Sequence, residues 1–293
     1  MGIAPHVLLR GNGVSAELTA PLHAEVLAMM EERRLAGAKP RPEMTVEETR
    51  QAMLAGRQWR IDPPMNIPVR DAVANGVPIR LYGPESAQAL LFVHGGRFFS
   101  GSLDSHDGPL RMLAAASNRR ICAVDYRLAP EHRHPAALDD TLAAGRWLTA
   151  RTDNIVIGGD SAGGYLAALA SLALAPRWQL LIYPMLDPAC DTESYREFQA
   201  GPWPNGEDMR RGWELYGGTP VTAELGAFPK TLLITAGVDA LRDEALAFAA
   251  GLRARDVAVE AIHYADMPHG FFTQTRLTRS RELINLLAAA LAR

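Results

Sequence analysis
The stretch Ile155-Val156-Ile157-Gly158-Gly159-Asp160-Ser161-Ala162-Gly163-Gly164-Tyr165 restricts the fold of this chain more than any other. Three β-branched residues run into a pair of glycines, and an Ala/Leu-rich segment from Ala162 to Leu174 follows with no proline before Pro176. That pattern predicts strand, tight turn and helix, with Ser161 at the corner. Gly159-x-Ser161-x-Gly163 fits a strained strand-to-helix turn whose small flanking residues let the backbone double back and leave the serine hydroxyl exposed above a sheet. The helix behind it would aim its N-terminal amides and dipole at any negative charge that develops there. Taken alone, such a pattern also describes an ordinary glycine-serine loop. The strand before it and the helix after it are what point to a nucleophile.

At 293 residues, 48% hydrophobic and 22% charged, the chain has enough apolar material for one large domain with a sizeable core. A net charge of -3 without a long run of like charge gives no electrostatic case for nucleic acid or an acidic membrane as partner, so a small substrate fits better. Met1 to Leu9 has Pro5 and His6, no basic leader and only a short apolar run, so neither a signal peptide nor a membrane span is expected and a cytoplasmic location is. The two cysteines, Cys122 in an apolar run and Cys190 in a polar loop, lack metal-ligand spacing and are expected to be free thiols.

Two helical patterns, Leu22 to Leu35 and Val46 to Trp59, open the chain, the second announced by Thr45-x-x-Glu48 as a capping box. Val69 to Val73 and Pro78 to Tyr82 flank Asn75-Gly76, which predicts an antiparallel hairpin. Strands at Leu90–Val93, Ile121–Val124, Ile155–Ile157, Leu180–Tyr183, Leu232–Thr235 and Val259–Tyr264 then alternate with helices at Leu110–Ala116, Ala136–Leu148, after Ser161, and Asp243–Arg253. A last helix carries Leu283, Leu286, Leu287 and Leu291. This alternation is that of a parallel sheet, interrupted by a polar insertion from Asp187 to about Gly226 with one helix near Glu207 to Tyr216.

An activated serine needs a general base, an acid that orients it, and donors for an oxyanion. Asp239 follows the strand Leu232–Thr235 and His269 follows the last strand, both at carboxyl ends of parallel strands, where open α/β sheets place their sites. His94-Gly95-Gly96 follows Leu90–Val93, and its glycines let backbone N–H groups approach a substrate oxygen beside that of Ala162.

These pieces resemble the bacterial hormone-sensitive-lipase-like esterases. The resemblance covers most of the chain: His94-Gly95-Gly96, Ser105-His106-Asp107, Asp125 to Glu131, Pro135 to Asp140, Gly159 to Gly164, Leu181 to Pro184, Asp239 to Glu244 and Pro268 to Phe271. It implies an α/β-hydrolase fold, a mostly parallel eight-stranded sheet flanked by helices, with a helical cap from residues 1–60 and 187–226 over a core of 61–186 and 227–293. It also implies a carboxylesterase without cofactor or metal, with Ser161 as nucleophile, His269 as base, Asp239 as orienting acid, and an oxyanion hole at Gly95, Gly96, Arg97 and Ala162. Trp203, Trp213 and Tyr216 of the insertion are expected to cover the pocket and favour short acyl chains. Members of this family often dimerise through sheet edges, which leaves a homodimer open.

Arg97 stands where the family pattern has a third glycine. It either forms an ion pair with an acid such as Asp104 or Asp107 or reaches the pocket and binds a carboxylate on the substrate. Three other functions stand as alternatives: a peptidase or amidase on the same triad, a ligand receptor that has lost hydrolysis, although every triad position is filled here, and a metal enzyme built on His132-x-His134, which no ligand cluster supports.

Overall fold
The computed structural model describes residues 6–9, 18–39, 41–56, 60–201 and 204–293. Its strands in chain order are β1 (Val7–Leu9), β2 (Val69–Ala74), β3 (Val77–Tyr82), β4 (Gln88–Val93), β5 (Arg120–Val124), β6 (Asn154–Asp160), β7 (Trp178–Ile182), β8 (Thr231–Val238) and β9 (Val259–Pro268). They form one sheet in the order β1-β9-β8-β7-β6-β4-β5-β3-β2. From β5 across to β9 every pairing is parallel, whereas the β2-β3 hairpin and β1 add antiparallel strands at the two edges. The sheet thus has nine strands where eight were expected, because three N-terminal residues pair with His263, Ile262 and Ala261 of β9.

The central strands are buried on both sides, as near-continuous apolar runs in parallel sheets must be; every residue of β4 is buried. Asn75 (φ 50°) and Gly76 (φ 91°) both take positive φ, as the two-residue hairpin turn joining β2 to β3 requires. One face of the sheet is covered by α4 (Ala136–Thr149), α5 (Ala162–Leu174) and α8 (Arg242–Arg253), the other by α3 (Leu103–Ser117), α9 (Thr278–Leu291) and the first helix, α1 (Ala24–Leu35). The remaining helices are α2 (Val46–Ala55), α6 (Glu193–Glu197) and α7 (Gly206–Tyr216).

Helix α2 begins as its capping box predicts: Thr45 Oγ1 accepts from Glu48 N and Glu48 Oε2 accepts from Thr45 N. The expected end of this helix, Trp59, lies outside the described residues. Helix α3 starts well before Leu110, capped by Ser102, and runs through Pro109. Proline has no N–H for the helical bond, yet burial of Leu103, His106, Leu110 and Leu113 holds the segment helical against that local preference. Among the described residues no helix is long and apolar enough to cross a membrane.

Candidate active site
Strand β6 ends at Asp160, and α5 begins at Ala162, so the chain reverses at Ser161 with φ 55° and ψ -121°. The two framing glycines exist because the start of the helix packs closely on its own strand and on the end of the neighbouring β4. A β carbon at Gly163 would stand 2.0 Å from the carbonyl oxygen of Val93, and one at Gly159 would stand 2.4 Å from that of Gly163. Ser161 N donates to Ile182 O at 2.9 Å and Met185 N donates to Ser161 O at 3.1 Å, which fixes the strained residue from β7.

The carboxyl ends of β8 and β9 bring the other two groups to this corner. His269 Nε2 lies 3.0 Å from Ser161 Oγ, and His269 Nδ1 lies 2.8 Å from Asp239 Oδ2. The second oxygen, Asp239 Oδ1, accepts from Leu241 N at 2.9 Å, so the carboxylate cannot rotate away from the imidazole. None of the three side chains is more than about one-twentieth exposed. Asp243, the nearest other carboxylate in sequence, is occupied by Arg242 and by the amide of Ser194.

The loop after β4 runs beside Ser161. Of its expected oxyanion donors, Gly95 is not available, because its N–H already donates to Asp160 Oδ1 at 2.8 Å. The amides of Gly96, Arg97 and Ala162 have no acceptor among the described residues. The loop takes positive φ at Gly96 (135°), Arg97 (56°) and Phe98 (65°), a conformation that costs an L residue roughly 1–2 kcal/mol. Asp160 is its anchor. Burial pushes this carboxyl up, but His106, with Nε2 at 3.1 Å, and the Gly95 amide outweigh that and hold it below its ordinary value. His94 is pushed down to about 3 by burial and by its neighbour His106. It is therefore neutral at physiological pH, stacked at 4.3 Å on Tyr126, whose hydroxyl donates to His94 O.

A cavity of about 100 Å³ opens above Ser161 and His269. Its far walls come from α1, the turn Arg41–Glu43 and α2, with Pro204 from the insertion. Trp203 lies outside the described residues. Trp213 and Tyr216 are not on the cavity wall: they are buried behind the loop, where Tyr216 stacks on Phe98 at 4.0 Å and Trp213 meets Tyr165 edge-on. The apolar stripe of α7 is spent on that aromatic cluster, which fixes Phe98 instead of a ligand. Arg97 lines the cavity but pairs at 3.1 Å with Asp208, both side chains buried. Asp104 and Asp107, the acids nearest in sequence, instead hold Arg80.

Comparison with known proteins fits this geometry. The family described as alpha/beta hydrolase fold matches residues 90–273, more than half of the chain. The chain belongs to this family, in its hormone-sensitive-lipase-like branch. An ethyl acetate hydrolase from Pseudomonas putida is 30% identical over 92% of this chain and 90% of its own length. A carboxylic ester hydrolase, LipN, from Mycobacterium tuberculosis is 32% identical over 79% of this chain and 73% of its own. Among solved structures, an esterase from Pyrobaculum calidifontis superposes with a TM-score of 0.81 at 28% identity, covering 93% of this chain and 98% of that one. An ester hydrolase from the metagenome of Lake Arreo, solved with a derivative of bipyridine phosphonate, gives 0.83 at 28% identity over 92% and 98%.

Within this hydrolase, the role of Asp160 is the one that sequence reasoning missed. The signal was present as an acid in the interior of Gly159-x-Ser161-x-Gly163, where only a buried partner makes a charge tolerable. Asp160→Ala would leave the Gly95 amide without an acceptor and His106 without its carboxylate. The expected loss is about 2–3 kcal/mol of stability, read as a fall in Tm and in the denaturation midpoint. A variant with the Tm of the parent would mean that the loop is anchored elsewhere. Neither cysteine competes as a nucleophile, since burial pushes Cys122 up to about 12 and Cys190 up to about 11.

Proposed function
We propose that this carboxylic ester hydrolase cleaves small, short-acyl esters through an acyl-enzyme on Ser161. The observation that carries the reading is the line Ser161 Oγ, His269 Nε2, His269 Nδ1, Asp239 Oδ2, with contacts of 3.0 and 2.8 Å. His269 takes the hydroxyl proton as Ser161 Oγ attacks the ester carbonyl carbon, and Asp239 stabilises the imidazolium that results. The amides of Gly96, Arg97 and Ala162 donate to the oxygen that gains charge. Collapse of the tetrahedral species breaks the bond to the alcohol, which leaves with the proton from His269. Water, activated by the same imidazole, then returns Ser161 to its starting state.

Of residues 1–60, the part from α1 to α2 serves with the segment 187–226 as the cap over this chemistry and forms the wall away from Ser161, whereas β1 belongs to the sheet. A cavity of about 100 Å³ is well below the roughly 300–1,000 Å³ of pockets for drug-sized ligands, so short acyl groups are favoured. In a series of p-nitrophenyl esters, kcat/KM is expected to be higher for acetate and butyrate than for long-chain acyl groups, with a burst of p-nitrophenol at high enzyme concentration. Faster turnover of the long-chain esters would overturn the size argument. Hydrolysis of the matching anilide as fast as the ester would turn the reading towards an amidase.

A further inference from the structure
The cavity over Ser161 is lined by several cations: Arg33, Arg41 and Arg60 from the N-terminal segment and Arg97 from the loop after β4. Asp208 is the carboxylate set against them, and it is committed to Arg97 at 3.1 Å. Arg211, which also lies near Arg97, donates to Met44 O and rests over the Phe99 ring. Asp160, the acid that does line the cavity, is held by His106 and the Gly95 amide. Arg41 has no ion pair among the described residues, and its buried Nε has no hydrogen-bond partner. The residue as a whole is partly exposed, but a buried guanidinium N–H without an acceptor is unfavourable, and an anion in the cavity would relieve it.

We propose that Arg41, with Arg33 beside it, forms an anion subsite in the catalytic cavity that selects esters bearing a carboxylate. This rests on the esterase reading above and names the substrate class for that same site. Burial and the neighbouring Arg97 push Arg41 down to about 9 against the opposing pull of Asp208, the direction expected of a cation whose counter-charge is shared with another arginine. Guanidinium groups keep their proton in proteins, so the demand is met by an anion and not by deprotonation. A carboxylate is the occupant that fits: it is planar, accepts two parallel N–H bonds from one guanidinium, and is small enough to share about 100 Å³ with the ester group. Arg97, its charge already answered by Asp208, forms the wall beside this subsite and is not the anchor.

The test compares monomethyl succinate with dimethyl succinate, and acetoxyacetate with its methyl ester, so that the carboxylate lies on either side of the scissile bond. Wild type is expected to prefer the carboxylate member of at least one pair by about 10- to 150-fold in kcat/KM. Arg41→Gln should bring that ratio towards one, and Arg41→Lys should keep part of it. An unchanged ratio in Arg41→Gln, or a wild type that hydrolyses the neutral member as well or better, overturns the subsite. Because Arg41→Gln could disturb the cap, succinate is also tested as an inhibitor of dimethyl succinate hydrolysis in the unaltered protein. Inhibition no stronger than that by succinamide counts against the proposal. If neutral esters are hydrolysed and Ser161→Ala stops this, the esterase reading stands whatever the subsite does. If wild type hydrolyses no ester, both fall.

Discussion

Ser161→Ala is expected to lower kcat for ester hydrolysis by on the order of 10⁶, because members of such a triad act as a unit and little is left once the nucleophile is gone. The fold should tolerate the change. What positions residue 161 is its backbone, through bonds to Ile182, Met185 and Gly164, while among the described residues Oγ meets only His269. Alanine at φ 55° is strained no more than serine, so Tm should stay near that of the parent. Loss of activity with an intact melting transition separates chemistry from folding. Residual activity within tenfold of wild type would remove Ser161 from its role, and a collapsed Tm would show that Oγ has a structural part as well.

Local and periodic features were the ones legible in the sequence. The Asn75-Gly76 hairpin, the Thr45 cap and the alternation of strands and helices each rest on a few neighbouring residues whose backbone preferences agree with the fold. The order Ser161, Asp239, His269 was also readable, because each residue follows a strand and a parallel sheet gathers those ends on one edge. What could not be read depended on side chains meeting across long separations. Arg97 finds Asp208 and not the nearer acids, since α7 lies against the loop while Asp104 and Asp107 face Arg80 on β3. Trp213 and Tyr216 carry the composition of a pocket wall, but Phe98, forced to φ 65°, turns its ring into their cluster. The commitment of Gly95 N to Asp160 depends on the register of β4 against β6. Pairing of β1 with β9 adds a strand from a run too short to announce itself.

The same bonding pattern decides what Asp239→Asn should do. In the parent, Oδ1 accepts from Leu241 N and Oδ2 faces His269 Nδ1, so the carboxylate accepts on both sides. Asparagine has one acceptor and one donor end. If its oxygen keeps the Leu241 bond, its NH₂ faces Nδ1, and the imidazole meets that donor only by carrying its proton on Nε2. That tautomer presents N–H to Ser161 Oγ and cannot take the hydroxyl proton. If the amide is turned the other way, NH₂ faces the Leu241 N–H, two donors meet in a buried place, and the local turn after β8 is weakened. The first arrangement costs less, because an imidazole changes tautomer freely while a buried donor pair has no relief. Asp239→Asn is therefore expected to keep the Tm close to that of the parent and to lose about 10⁴ in kcat at neutral pH, with KM little changed. An activity within a few-fold of wild type would mean that another acid orients His269. Asp243 would have to leave Arg242 and Ser194 to do so, which makes that outcome a direct contradiction of the bonds found here.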